Sequence, residues 1–296
     1  MLLNQFSKYM LRGQRQAIIV ALLFTMVPFF NWVSVVVIGL VTLSKGAYEG
    51  FIILLWASLP YAVFAVKGVW MPLVVNIGLG AFLVWIFAII LHHSAKWVWV
   101  LKGISALAIV GVLLVHFFIP HIQTVWVTKM AQMMQPLLAP MAYLKLTAND
   151  FTIVATWVSY YATGVQASYF VFTVLTELAL ARMLQARLFF PGGLMQEWLQ
   201  LRLDYLAVIV LLLTLVLVMF GADLFKDIIA IITLPFLIVG VSLLYRYVRL
   251  KKKVLAWSCY TATVLLTMLI PLVMVVFFVL LATLDVFLPI RKRLAI

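Results

Sequence analysis

Residues 151–185 read FTIVATWVSYYATGVQASYFVFTVLTELALARMLQ, a long apolar run that carries a regular series of polar side chains. These side chains recur three, four or seven positions apart, which places them on one face of a single helix. They are Thr152, Thr156, Ser159, Thr163, Gln166, Thr173 and Glu177. Because polar groups are costly at membrane depth, we expect this polar stripe to face other helices or a wet cavity.

The composition of the whole chain is that of a membrane protein. Of its 296 residues, 67% are hydrophobic and only 10% are charged, and the mean hydropathy is +1.23. Apolar runs of about 20 residues can cross a bilayer core that is about 30 Å thick. The sequence therefore predicts an all-α polytopic transmembrane helical bundle, with residues 1–296 forming a single integral membrane domain in the lipid bilayer.

The net charge of +13 does not indicate nucleic-acid binding, because the basic residues cluster at the ends of the apolar runs. Lys and Arg at such positions are typical of membrane anchors and orientation signals. The one cysteine, Cys259, lies in an apolar run, so the chain cannot form an internal disulfide.

We predict eight or nine membrane segments, of which the first two are ambiguous. Residues 16–43 can form one long span, or two short helices that are broken around Pro28 and Asn31. The positive-inside rule favours the second alternative, an early short helical hairpin, because two crossings keep most basic loop residues on one side. The predicted segments are 16–28, 32–43, 51–66, 70–91, 97–119, 151–185, 205–221, 227–245 and 254–288.

This topology corresponds to a multi-pass protein of a bacterial inner membrane with a cytoplasmic N-terminus. It places residues 186–203 inside and residues 120–150 outside. We expect the outer segment to contain a short amphipathic helix along the interface, followed by an N-cap at Asn149 or Asp150. Residues 254–288 contain Pro271 and can form a kinked helix or a tight hairpin, which leaves the side of the C-terminus open.

Two explanations fit the polar stripe. Its side chains can bond across helix contacts or back to their own helix, or they can line a site for a solute. Glu177 can be a proton or cation site, or it can form an ion pair near the cytoplasmic interface. Asn76, which lies close to Gly78 and Gly80, needs a partner if it is buried. The candidate substrate-lining residues are Asn76, Thr156, Ser159, Thr163, Gln166, Thr173 and Glu177.

Metal binding and catalysis are not indicated by the sequence. The four histidines form two pairs, His92 with His93 and His116 with His121, at opposite ends of one predicted span. A single zinc site cannot include both pairs. The chain also lacks the G-x-S-x-G, H-E-x-x-H and Walker motifs. We therefore expect no metal, no cofactor and no enzymatic activity.

The cytoplasmic segment 186–203 is the most distinctive stretch outside the apolar runs. Pro191 is expected to end the long helix, and Gly192 and Gly193 permit a turn with unusual backbone angles. Glu197 and Arg202 can then hold the interfacial helix that follows. This segment, which we call the elbow, is either a structural joint between two spans or a docking surface for a cytoplasmic partner.

The elbow, together with the end of the helix before it, matches the pattern R-x-x-Q-x-x-x-[FY]-x-P-G-G-x-x-x-E-x-x-x-L-R-L through Arg182, Gln185, Pro191, Gly192, Gly193, Glu197, Leu201 and Arg202. In this pattern, and in residues 15–50, the chain resembles the YybS-like family of uncharacterised bacterial multi-pass membrane proteins. That family is remotely similar to the S-components of energy-coupling-factor transporters. The resemblance implies a fold that binds a small solute within the membrane and docks onto a membrane partner through small residues, here near Ala17 and Ala21.

The sequence thus leads to two hypotheses about function. The first is an S-component-like protein of the solute-binding or transport type, whose candidate partners are a small solute and another membrane protein or a second copy of the chain. The alternative is a non-transporting membrane scaffold or assembly factor that recruits a partner through its cytoplasmic elbow.

Overall fold

The computed structural model describes residues 2–27, 29–138, 148–249, 253–288 and 290–293, and every regular element in this part of the chain is helical. The first helices are α1 (Leu2–Arg12), α2 (Gln14–Met26), α3 (Asn31–Lys45), α4 (Ala47–Val66), a π-helix (Leu73–Ala81) and α5 (Phe82–Ser94). The next are α6 (Trp97–Phe118), α7 (Ile122–Leu138), α8 (Ala148–Phe189) and α9 (Gly193–Gln200). The last are α10 (Tyr205–Met219), α11 (Asp223–Arg249), α12 (Lys253–Leu269), α13 (Pro271–Phe287) and α14 (Ile290–Arg293).

Five helices in the described residues are long and apolar enough to cross a membrane. They are Ala47–Val66, Leu73–Ser94, Trp97–Phe118, Thr152–Phe189 and Asp223–Val248. A sixth span results if α9 and α10 are counted together as one span. The apolar helices α2, α3 and α13 are shorter. The fold fits a membrane-embedded protein, but the predicted eight or nine spans are not confirmed.

Contacts divide the chain into two compact units, and each combines distant parts of the sequence. Unit 1 consists of Met1–Ile104 and Phe170–Leu201, and unit 2 of Ser105–Tyr169 and Arg202–Ile296. Helix α8 contributes its first half to unit 2 and its second half to unit 1. With 42 residues it is ~63 Å long, about twice the thickness of a bilayer core.

In unit 1, the break predicted around Pro28 and Asn31 is present, because α2 ends at Met26 and α3 begins at Asn31. The two short helices pack against each other, and the Thr25 hydroxyl lies 2.9 Å from that of Ser34. Ala17 and Ala21 on α2 are only 1% and 0% exposed. The face that the resemblance assigns to docking is therefore already buried against the chain itself.

In unit 2, helix α11 packs against α10, α12 and α13. A Cβ atom on Gly240 would overlap the main chain of Phe278, so glycine is what allows α11 and α13 to approach this closely. Helices α12 and α13 adjoin at Ile270, and Pro271 is the first residue of α13, where its missing N–H is tolerated. The break expected at Pro271 is thus present.

The C-terminal end of unit 2 is held by a buried ion pair. Arg291 donates a 2.7 Å hydrogen bond to the Asp285 carboxylate, which is 1% exposed. Burial lowers the pKa of the Arg291 guanidinium below its ordinary value, and the bond to Asp285 opposes this shift. Arg246 also donates to the main-chain carbonyl of Arg291 and ties α11 to α14.

Candidate functional site

The polar stripe lies on α8 as predicted from its spacing, but its members belong to both units and have different surroundings. Thr152, Thr156, Ser159, Thr163 and Gln166 lie in unit 2, whereas Thr173 and Glu177 lie in unit 1. Ser159, Thr163 and Glu177 are buried, Thr173 is half-buried, and Thr152, Thr156 and Gln166 are exposed. The stripe is therefore not one uniform lining face.

Most hydroxyl groups in the first half of the stripe are satisfied locally. Thr156 donates to the carbonyl of Thr152, and Ser159 donates to that of Thr156. Thr163 accepts a 2.9 Å hydrogen bond from the indole N–H of Trp126 on α7. These contacts are of the helix-bonding kind that was the first explanation of the stripe.

In unit 1, the residues of α3 contact those of two neighbouring helices at a constant separation in the sequence. A Cβ atom on Gly39 would lie 3.0 Å from the Cβ of Ala181 on α8 and 3.1 Å from a methyl of Val84 on α5. Gln185, one turn after Ala181, bonds the carbonyl of Leu43, one turn after Gly39. Because both pairs are 142 positions apart, α3 and this half of α8 run in the same direction.

The same argument applies between α3 and the helix Leu73–Ser94. Asn31 donates a 3.0 Å hydrogen bond from its side chain to Asn76, 45 positions away, and Gly39 and Val84 have the same separation. Asn76 in turn donates to the carbonyl of Pro72 at 2.9 Å. The three segments are therefore parallel, and the half-buried Asn76 has Asn31 as its side-chain partner.

Extending this register along α8 predicts the levels of two further candidate residues. One turn before Ala181, Glu177 lies at the level of Val35, and one further turn places Thr173 at the level of Asn31. This register predicts that Thr173 and Glu177 lie near the level of Asn31 and Asn76 in unit 1. Asn31 belongs to the same region, although sequence reasoning had assigned it only to the helix break.

Glu177 is the chemically distinctive member of this group. It is 6% exposed, and its Oε2 atom has no hydrogen-bond partner among the described residues. Arg182, the nearest basic residue along the chain, instead pairs with Glu197. A buried carboxyl oxygen without a partner is costly, and in a membrane helix it marks a candidate ion or solute contact.

The elbow residues form a second polar network in unit 1. Glu197 accepts hydrogen bonds from the guanidinium of Arg182 and, at 2.8 Å, from the indole N–H of Trp97. Arg182 also donates to the side-chain oxygen of Gln185 at 2.5 Å. This network joins the end of α8 to α9 and to the start of α6, so its charges are satisfied within the chain.

The turn of the elbow has the backbone that its sequence indicates. α8 ends at Phe189, and Gly192 adopts φ +88°, a conformation that other residues resist, whereas Gly193 is already helical. The expectation that Arg202 holds α9 is wrong. It belongs to unit 2, where its guanidinium donates to the carbonyls of Asp285 and Val286 at 3.1 Å.

Sequence reasoning missed a further polar cluster in unit 2. Its centre is Asp227, near the start of α11, which accepts a 2.6 Å hydrogen bond from the main-chain N–H of Gly164 and lies 3.3 Å from the His116 ring. The sequence feature that could have indicated this cluster is the position of Asp227, an acidic residue at the edge of an apolar run. Within the described residues, no group of three or more His, Cys, Asp or Glu side chains could hold a metal ion.

Comparisons with protein-family models, with curated proteins and with solved structures found no match. The resemblance to the YybS-like family therefore stays a prediction. The class that the fold supports is an all-helical protein with five or six apolar helices able to cross a membrane.

Proposed function

We propose that this chain is a solute-binding or transport-type protein of a bacterial inner membrane, with Glu177 as the ionisable contact for its solute. The observation that carries the proposal is the unpartnered Oε2 atom of this buried side chain, in a helix apolar enough to cross a membrane. An acid retained at such a position is costly unless a ligand or a proton neutralises it. A cation or an amine matches this requirement.

The neighbouring polar groups support a small solute with hydrogen-bonding capacity. Asn31 and Asn76 are hydrogen-bonded to each other, the register of the parallel helices predicts Thr173 near their level, and amide groups can both donate and accept. The Asn31–Asn76 bond uses only part of the hydrogen-bonding capacity of each amide, so the remaining donors and acceptors can bind a ligand. The proposed solute is therefore a small organic cation that is bound by a carboxylate and oriented by amides.

A substitution series tests this proposal. We expect Glu177→Gln to unfold at the same or a higher temperature than wild type in detergent, because a neutral amide costs less in an apolar interior than a carboxylate. A panel of primary amines and monovalent cations should contain members that stabilise wild type but not the variant. The control is Thr176→Val, since Thr176 is exposed and bonds only its own helix at Phe172.

Two results would contradict the proposal. If Glu177→Gln clearly lowers the unfolding temperature, Glu177 has a structural role. If every stabilising compound acts equally on wild type and Glu177→Gln, the solute does not contact this carboxyl group.

The second candidate function is that of a scaffold, and one observation favours it. Phe189 and Phe190, at the turn of the elbow, are 54% and 67% exposed, and Arg187 next to them is also exposed. Exposed aromatic and Arg side chains are common in surfaces that bind proteins. Alanine replacements of both phenylalanines should then abolish co-purification of a protein partner without affecting the binding of amines.

A further inference from the structure

The buried carboxyl group of Asp227 is held in a site built from two helices of unit 2. Asp227 is 2% exposed, and its Oδ1 atom accepts the main-chain N–H of Gly164 in the middle of α8. An N–H inside a helix normally serves a carbonyl one turn earlier, so donation to another helix is unusual.

Glycine at position 164 makes this site possible. A Cβ atom there would overlap the main chain of Asp227 itself, so α8 and α11 touch backbone to backbone. This contact fixes the direction of the Asp227 side chain. Its second oxygen, Oδ2, then points toward His116, near the end of α6.

The hydrogen bonds of His116 determine where its first proton lies. The Nδ1 atom is 3.1 Å from the carbonyl of Val112, and because a carbonyl can only accept, Nδ1 must carry the hydrogen. The Nε2 atom is buried and makes no hydrogen bond within the described residues, although it lies 3.3 Å from Asp227 Oδ2, so in a neutral ring its lone pair would lie close to a carboxylate oxygen. Two acceptors at this distance repel each other unless a second proton lies on one of them.

Other charged and titratable groups lie on α8, on α11 itself and on the other helices packed against α11. Lys226 forms an ion pair with Asp223 and lies 4.3 Å from the centre of the Tyr160 ring, and Tyr161 also interacts with it. The described titratable side chains on the other helices packed against α11 are Tyr205 on α10, Cys259 on α12 and Asp285 on α13, and Asp285 pairs with Arg291.

We infer that His116 and Asp227 form a proton-binding pair, which takes up one exchangeable proton from water and holds it between imidazole Nε2 and carboxylate Oδ2. When the proton is present, either the ring is cationic and the carboxyl group anionic, or both are neutral. When the proton returns to water, the carboxylate faces a lone pair and the contact between α6 and α11 weakens. Protonation thereby controls a helix contact in unit 2, independently of any solute at Glu177.

Nuclear magnetic resonance of the ring nitrogens tests this inference. The chain is produced with a tag that lacks histidine and with His92, His93 and His121, all exposed, replaced by Asn, so that His116 is the remaining one of four histidines. The protein is labelled with ¹⁵N-histidine and ¹³C-carboxyl aspartate and is measured in liposomes at neutral pH. We expect Nδ1 to carry hydrogen, and a second proton on either Nε2 or the Asp227 carboxyl group.

The variant Asp227→Asn keeps an acceptor for Gly164 but can also donate to Nε2. We expect its His116 ring to be neutral, with hydrogen on Nδ1. The control Asp223→Asn, one turn away on the same helix, should retain the wild-type signals. A wild-type ring with hydrogen on Nε2 alone, or a neutral ring beside an ionised Asp227, would overturn the inference, as would a doubly protonated ring in Asp227→Asn.

Discussion

The side-chain amide of Gln185 donates a 2.7 Å hydrogen bond to the main-chain carbonyl of Leu43, in the last turn of α3. The carbonyl groups of a last turn have no partner in their own helix. The Nδ1 atom of His92 lies 2.9 Å from the same oxygen, so α5 and α8 both bond the end of α3. One buried carbonyl thus joins three helices of unit 1.

We predict that Gln185→Met lowers the free energy of unfolding in detergent by ~1–2 kcal/mol, because it removes a buried bond between helices and leaves Arg182 with one acceptor fewer. The measurement is thermal or denaturant unfolding of the purified chain. Gln196→Met is the matched control, since Gln196 is exposed on α9. Equal effects of the two variants would mean that the bond to Leu43 contributes nothing to stability.

The two glycines of the elbow should differ in their tolerance of a side chain. Gly192 has φ +88°, so Gly192→Ala should destabilise by ~1–2 kcal/mol. Gly193 is helical, and an added Cβ would lie in ordinary contact, 3.4 Å from Phe190. Gly193→Ala should therefore be neutral or stabilising. The yield of folded protein and its unfolding temperature measure both effects, and a larger loss at Gly193 would contradict this assignment.

Local features of the fold could be predicted because they depend on nearby residues. The break after Met26, the end of α8 before Pro191 and the turn at Gly192 each follow from proline or glycine at that position. Spacing also placed Thr173 and Glu177 on one helix. The number of spans was less accessible, because α2 and α3, with 13 and 15 residues, are apolar but too short for the usual length of a span.

Contacts between distant residues could not be predicted, because a periodic pattern identifies the face of a helix but not its neighbour. The pairing of Asn31 with Asn76 depends on a parallel register between segments that are 45 positions apart. The sequence does not distinguish Gly164 from other small residues on α8, because the main chain that it contacts, that of Asp227, is remote in sequence. The division of the polar stripe between two units has the same origin, since each half packs against segments that are remote in sequence.

Gly164 gives a sharp test of the close contact between α8 and α11. In Gly164→Ala the added methyl group would overlap the main chain of Asp227, so we expect a loss of ~1–3 kcal/mol in the free energy of unfolding. Gly111→Ala is the control in the same unit, because no atom lies within 4 Å of the added Cβ. Alanine there should stabilise α6 by up to ~1 kcal/mol. Similar losses in both variants would exclude a specific contact.

The topology that we propose places the elbow in the cytoplasm and α7 on the outer side. A cysteine at Gln132, which is exposed on α7, should react with an impermeant thiol reagent added to intact cells that carry Cys259→Ser. A cysteine at Gln196 should react only after the cells are permeabilised. The reverse pattern would favour one long first span, because a single crossing there changes the side of every later loop.

Substitutions in the first half of the polar stripe test whether its side chains make contacts between helices or line a solute site. Thr163 accepts a hydrogen bond from the half-buried Trp126, so Thr163→Val should leave its indole N–H without this partner and destabilise by ~0.6–2 kcal/mol. Gln166 is exposed, and Gln166→Leu should unfold at the same or a higher temperature. Thermal unfolding of both variants in detergent, with mass spectrometry of small molecules that co-purify, separates the two roles. If Gln166→Leu keeps its stability and loses a bound molecule that Thr163→Val retains, Gln166 itself contacts a bound molecule in unit 2. If Gln166→Leu is instead destabilised as much as Thr163→Val, both side chains hold helices together, and the proposed site is confined to Asn76, Thr173 and Glu177.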